Sequence, residues 1–548
     1  QIDMENFETK QYFPEKKAEE LEEIKIEIPK EEWQTLEIIA KRVGGDFGMK
    51  VKLGKPGGGS FFNLEDISIT FDPLHIKEKP EQAKFVAGHE GAHRAITPSP
   101  KEIGLSQEQI QELYSQIGFG YLQNVIEDPA VNDWMRKRYP GLNEYLKKFY
   151  DEQFRKENVV LSTPEVERIA IQLGYWPRFA QYGSEVIRDW HQRRFSHTLD
   201  PAVKKALERT IEDARKSLST IPDPEKRDRK EIISKAQERF RINTEYIWPE
   251  VKKLVEMDLH TEEQRQMMKE FRQKQKELEQ KEKELKEAQA QGDSQRAEEL
   301  QKEIDKLKQE LDPFNGLPED VKKELQEQID KAIREAAEKL NKEIEEKKKQ
   351  IDKARERQQE LEKEIKELEE KAKSASGKEK EELKKQIEQK KAEKLEQEMK
   401  QKQAGQELNE IQDTLENIQS GKEMPYPEDK LSEKTRQEVE KLFKNLPRQK
   451  QEGLRKKAEK QLEDFEDAVN KELEGKLNKD KPESHRERRE REEREKRIEE
   501  EKRKWEEERK RLGEQLERMR REKMTEYDRA YEEVADIINS LYNRLKKF

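Results

Sequence analysis

Apolar positions along this chain fall in two regimes. Up to about residue 260 they form short mixed patterns. "IKIEI" (24–28), "MKVKL" (49–53) and "ISITF" (67–71) are strand-like: the first two alternate apolar and polar residues, the period of a half-buried strand. "KEEWQTLEIIAKRV" (30–43) carries one apolar face and predicts an amphipathic helix closed by Gly44 and Gly45. "KPGGGSFFN" reads as a turn and "DPLHIKEKP" as a linker, after which a helix is expected over 81–96. A second helical stretch spans about 106–138, and aromatic-rich helices continue through "GYWPRFAQYGSEVIRDWHQRRF" to about residue 260.

From 262 to 420 the pattern changes. Glu, Lys and Gln dominate, and apolar residues recur at steps of four and three: Leu300, Ile304, Leu307, Leu311; Ile329, Ile333, Ala336, Leu340; Leu361, Ile365, Leu368. This is coiled-coil spacing. "DPFNGLP" (312–318) and "SASG" (374–377) interrupt it. Helical stretches of similar length flank the second break, which predicts a hairpin folding back on itself rather than one long rod. A second charged stretch covers 484–524, with Ile498, Trp505, Leu512 and Met519 seven residues apart. In the last helix Tyr527, Tyr531, Val534, Ile538, Leu541 and Leu545 share a face that needs a partner, and this predicts a further domain after residue 548.

The expected architecture is an α+β domain over 1–260, a small sheet with helices, followed by mostly α structure. That second part divides into a coiled coil over 261–311, a coiled-coil hairpin over 312–420 with its turn near 374–377, a helical linker segment over 421–480, and a charged helix over 484–548. Composition agrees: 44% of residues are charged and 31% hydrophobic, too few for one core to hold the whole chain. The 115 basic and 125 acidic residues nearly cancel, so charge gives no reason to expect a nucleic-acid partner. No apolar run approaches the roughly 18 residues of a membrane span, and the opening "QIDMENFETK" lacks a secretory core, so a cytoplasmic location without membrane contact is expected. The coils predict protein partners or a homo-oligomer. Without cysteine, a metal would be held by His, Asp or Glu.

The candidate chemistry lies in "KFVAGHEGAHRAI" (84–96). His89 and His93 are one helical turn apart and project from the same face, a spacing that suits two imidazole ligands of one Zn²⁺. Glu90 is rotated by about 100° and so lies beside the metal as general base rather than on it. With seven histidines in 548 residues and 125 acidic residues, composition alone gives about 0.02 such matches. Gly88 and Gly91 are poor helix formers, and their presence predicts a close neighbour. A third ligand is expected from "NVIEDPAVND" (124–133): Glu127 is the chosen ligand with Asp128 orienting a histidine N–H, and Asp128 is the alternative, with the two roles exchanged. His191 and His197 are later alternatives.

The His89-Glu90-x-x-His93 helix, preceded by a small sheet and followed by an acidic helix, resembles the zincin metallopeptidases, the gluzincin branch in particular, over roughly residues 20–140. The resemblance implies a zinc-dependent peptidase acting on a peptide or protein substrate, with the strand Ile67–Phe71 as an edge that pairs with extended substrate. It also implies a transition-state stabiliser, for which Tyr175, Arg178, Tyr182 and His191 are candidates. The gluzincin Glu-x-x-x-Asp pattern is not met from Glu127, since Val131 stands four residues on. The closing "TEYDRAYEEVADIINSLYNRLKKF" resembles the helix leading into the von Willebrand A domain of cobalt-chelatase-like and nitric-oxide-reductase-activating proteins. That resemblance implies the competing reading, a scaffold working with an ATPase partner.

Overall fold

The computed structural model describes residues 28–54, 60–63, 68–155, 157, 160–425 and 430–473, with two isolated positions, 503 and 534. The chain divides into two units, 1–482 and 483–548. The strand expected at 24–28 lies outside the described residues except for Ile28, and so, apart from Arg503 and Val534, do the charged stretch 484–524 and the final helix.

The described part is predominantly helical, with one small sheet near its start. Helix α1 (Lys30–Gly44) ends where Gly45 adopts a left-handed φ of 65° and returns its N–H to the carbonyls of Arg42 and Lys41. Strands β1 (Lys50–Leu53), β2 (Phe61–Asn63) and β3 (Ser68–Phe71) follow in spatial order β1-β3-β2. β3 pairs in parallel with β1, Val51 opposite Ile69, and antiparallel with β2, Phe62 opposite Ile69. The segment expected as a turn thus supplies a strand. The expected linker supplies a short helix, α2 (Pro73–Glu78), whose N-cap Asp72 accepts from the Leu74 N–H. The expectation for Ile67–Phe71 is corrected here: β3 is the central strand, paired on both sides, and offers no free edge to a substrate.

Helix α3 (Pro80–Ile96) lies against α1, with the motif on its buried length. Gly91 makes that approach possible, because a Cβ there would stand 2.6 Å from the Ala40 carbonyl oxygen of α1. Gly88 is similarly close to Met135 and Leu142. The expected helix 106–138 is two helices, α4 (Gln107–Tyr114) and α5 (Phe119–Arg138), separated by Gly118 at φ 84°. Pro129 sits inside α5 without ending it, although it withholds the N–H that would bond to the Val125 carbonyl. Helices α6 (Asn143–Gln153), α7 (Pro164–Leu173), α8 (Arg178–Trp190), α9 (Pro201–Ser219) and α10 (Arg229–Ile242) complete the body.

The boundary expected at residue 260 falls inside α11 (Trp248–Gln291), which runs without a break from the body into the coils. Among the described residues the coils form two helical hairpins. α11 turns through Gly292 and Asp293 onto α12 (Ser294–Asn315), and α13 (Glu319–Ser374) turns at Ala375–Gly377 onto α14 (Lys378–Ser420). The second is the hairpin expected from the sequence. Leu340, Ile344, Ile411 and Ile418 are buried in its seam, and Arg357–Glu393 and Lys390–Glu364 pairs cross it. These coils therefore pair within one chain.

The described residues of the expected linker 421–480 join the folded body. After α15 (Glu433–Lys444), helix α16 (Arg448–Glu472) inserts Leu462, Phe465, Ala468 and Val469 into the core of the body. Phe465 packs edge-on against Phe179 of α8, ring centroids 6.3 Å apart. No helix among the described residues is long and apolar enough to cross a membrane.

Candidate metal centre

Two facing helices build the site. α3 supplies His89 and His93, and α5 supplies Asp128 and Asn132 four residues apart. His89 Nε2 and His93 Nε2 are 3.1 Å apart. Asp128 Oδ1 lies 3.2 Å from His93 Nε2 and 4.0 Å from His89 Nε2. All three residues are buried and form a group suited to a metal ion.

The outer nitrogens decide what the inner ones can do. Asn132 Nδ2 donates to the Tyr150 hydroxyl, so its Oδ1 faces His89 and takes the Nδ1–H at 3.0 Å. The Thr97 hydroxyl donates its single proton to Glu127 Oε1 at 3.0 Å, because a carboxylate only accepts. Thr97 Oγ1 must then accept from His93 Nδ1–H, also at 3.0 Å. Both imidazoles are therefore tautomers with bare Nε2 lone pairs, pointed at each other and at a carboxylate oxygen. Burial holds both histidines neutral, lowering each to about 4 from 6.5; His93 charge adds to this at His89, and Glu127 partly opposes it at His93. Three converging electron-pair donors with no proton between them repel unless a cation sits among them. Tetrahedral zinc with bonds of about 2.0–2.1 Å spaces its ligand atoms about 3.3–3.4 Å apart. The observed 3.1, 3.2 and 4.0 Å bracket that spacing.

Glu127 takes the other role. Arg239 of α10, 1% exposed, grips it with two bonds, Nε to Oε2 at 3.0 Å and Nη2 to Oε1 at 2.8 Å. Arg239 Nη1 also donates to the Thr220 carbonyl at 2.7 Å. This pairing, with help from His93 and Thr97, holds the Glu127 carboxyl below the usual range despite its burial. Of the two acids open from the sequence, it is Asp128, the alternative to Glu127, that groups with the two histidines. Asp128 stands at the imidazole nitrogens, and Glu127 reaches His93 only through Thr97. From Asp128 the residue four on is Asn132, so the Glu-x-x-x-Asp pattern is not met there either.

Glu90 is fully buried on the same helix and does not belong to the three-residue group. The suggested stabilisers are engaged elsewhere: Tyr175 donates to the Asp258 carbonyl, Arg178 pairs with Asp200 and Asp258, the Tyr182 hydroxyl bonds Thr210, and His191 bonds Asp151. His191 does pack against Tyr150, ring centroids 5.7 Å apart, and so touches the outer layer of the site. His197 pairs with Glu157, away from the centre. Sequence reasoning missed Thr97, Asn132 as an orienting group, Tyr150 and Arg239. Thr97 follows His93 by four and Asn132 follows Asp128 by four, so helical spacing carried a signal for those two. Nothing local pointed to Tyr150 or Arg239.

A cavity of about 60 Å³ opens beside the centre, lined by His93, Glu127, Asp128, Tyr114, Arg239 and Phe240 among others. A larger one, about 1010 Å³, lies between α7, α8 and α13 and is lined by none of the motif residues. Compared with protein-family models, curated proteins and solved structures, the chain matches none.

Proposed function

We propose that the chain is a zinc-dependent metallopeptidase in which His89, His93 and Asp128 hold the ion and Glu90 is the general base. One observation carries this reading: two Nε2 lone pairs and one carboxylate oxygen converge at zinc-like spacings while both Nδ1–H groups are tied outward. Bound Zn²⁺ supplies Lewis acidity, lowering the pKa of water and polarising a carbonyl. Asn132 and Thr97 orient the imidazoles and fix their tautomers. Glu90 accepts a proton from the attacking water and delivers it to the leaving amine. The likeness to gluzincins is part of the proposal and rests on His89, Glu90 and His93; Asp128-x-x-x-Asn132 departs from the gluzincin Glu-x-x-x-Asp at both positions. A cytoplasmic location is proposed with it. The test is made on the full chain: metal content is measured beside hydrolysis of casein and a peptide library, for the native protein and Glu90→Gln. Zinc in both with cleavage only by the native chain supports the reading; a chain that takes up no zinc rejects it.

One observation favours the second reading, a non-catalytic scaffold built around a structural metal. The cavity beside the centre has room for about two waters and not for a peptide. Zinc in both proteins with cleavage by neither selects it.

A further inference from the structure

A catalytic zinc needs three protein ligands and one open position, whereas a structural one has four. This centre has a second acidic residue beside it. Glu127 precedes Asp128 on α5, and its carboxylate lines the same small cavity as His93 and Asp128. A carboxylate left unpaired beside a bound divalent cation is drawn onto it, since charge attraction is strong at low effective dielectric. What prevents this is visible. Oε1 accepts from Arg239 Nη2 and from Thr97 Oγ1, and Oε2 accepts from Arg239 Nε. The guanidinium is anchored on its far side to the Thr220 carbonyl and is almost fully buried. A two-pronged charge-assisted pair of this kind is strong, and pulling Glu127 away would strand a buried cation.

We infer that Arg239 is a positioning residue that withholds Glu127 from the metal and keeps the fourth coordination position open. This rests on the metal centre proposed above, and it assigns α10 a part in it: with Arg239 the centre has three protein ligands, and without it four. The same pair keeps Thr97 oriented as the acceptor for His93 Nδ1–H.

Co²⁺-loaded full chain tests this, with azide and acetohydroxamate as probes of an open position, read by visible absorption. The native chain is expected to change its spectrum on adding either probe. Arg239→Met is expected to bind Co²⁺ but to bind the probes at least tenfold more weakly, with a cobalt spectrum already altered before they are added. Arg239→Met combined with Glu127→Gln is expected to recover probe binding, because the competing carboxylate is gone. Glu127→Gln alone is expected to bind Co²⁺ about tenfold more weakly and, once loaded, to keep probe binding. Probe binding by Arg239→Met equal to the native chain, a double variant that stays closed, or loss of Co²⁺ from Glu127→Gln alone overturns the inference while leaving the centre itself standing. If Arg239→Met does not fold, the Glu127→Gln result decides. A native chain that binds no Co²⁺ rejects the centre, and with it this role for Arg239.

Discussion

His93 Nε2 stands 3.1 Å from His89 Nε2, and neither nitrogen carries a proton, because each ring has spent its N–H on the opposite side. Such a contact is unfavourable by itself. α3 is held by α1 and by α5, and a cation bound between the two nitrogens would relieve the contact.

Substitutions at the two neighbouring acids separate ligand from support. Asp128→Asn is expected to weaken zinc binding by about 100-fold or more, whereas Glu127→Gln, which loses only outer support, costs about tenfold. Competition against a chromogenic chelator measures both. Equal losses would refute the assignment of Asp128.

Asn132→Ala removes the acceptor for His89 Nδ1–H and leaves that donor buried. Zinc affinity should fall about 10–100-fold, and the metal-free protein should lose about 1–3 kcal/mol. Tyr150→Phe is expected to be milder, because Asn132 keeps its bond to His89. Chelator competition and urea unfolding give the two readings, and an Asn132→Ala protein with native zinc affinity would show that His89 needs no orienting group.

Acid should destabilise the metal-free protein early. Burial lowers both histidines from 6.5 to about 4, so the unfolded chain takes up protons first as the pH falls. Stability present at neutral pH is therefore lost between about 6.5 and 4, at up to ~1.4 kcal/mol per pH unit for each histidine. Urea midpoints at pH 7, 6 and 5 follow it. His89→Ala/His93→Ala should flatten the window, and an equally steep fall in that variant would assign the effect to other groups.

Gly91→Ala places a Cβ 2.6 Å from the Ala40 carbonyl oxygen, a backbone atom that cannot rotate away. Forcing α1 and α3 apart should cost about 1–3 kcal/mol. A thermal midpoint equal to the native one would show that the two helices have slack.

The body should depend on α16. Phe465→Ala empties a fully buried position between α8 and α16 and is expected to cost about 3–5 kcal/mol. A fragment ending at residue 260 lacks α16 and most of α11, so it should aggregate or unfold more readily than the full chain. A 1–260 fragment as stable as the full chain would show that α16 only rests on the surface.

Local pattern was informative where the physics is local. The steps of four and three and the "SASG" break located the long hairpin, because helical spacing and turn residues act over a few positions. The His89–His93 pair was legible for the same reason: one turn of helix puts both rings on one face whatever surrounds it. Gly88 and Gly91 announced a close neighbour without naming α1. The α11–α12 turn at Gly292 and the strand at Phe61–Asn63 were not recognised, the first being a short interruption in an otherwise uniform charged run and the second a three-residue strand beside a glycine-rich turn.

The sequence by itself determined the two imidazoles, the acid beside them and a short acidic segment to complete the set. It favoured Glu127 and kept Asp128 as the alternative, since adjacent residues on a helix differ only in the direction they point, and Pro129 spoils ideal geometry there. Tertiary structure places the two differently. Arg239, 112 residues further along, arrives on α10 and binds Glu127, and Asp128 is left facing the histidines. The strand β3, which reads as an available edge in isolation, is enclosed by partners on both sides. In both cases the deciding interaction joins groups far apart in the chain, and periodicity, being a property of neighbours, carries no record of it.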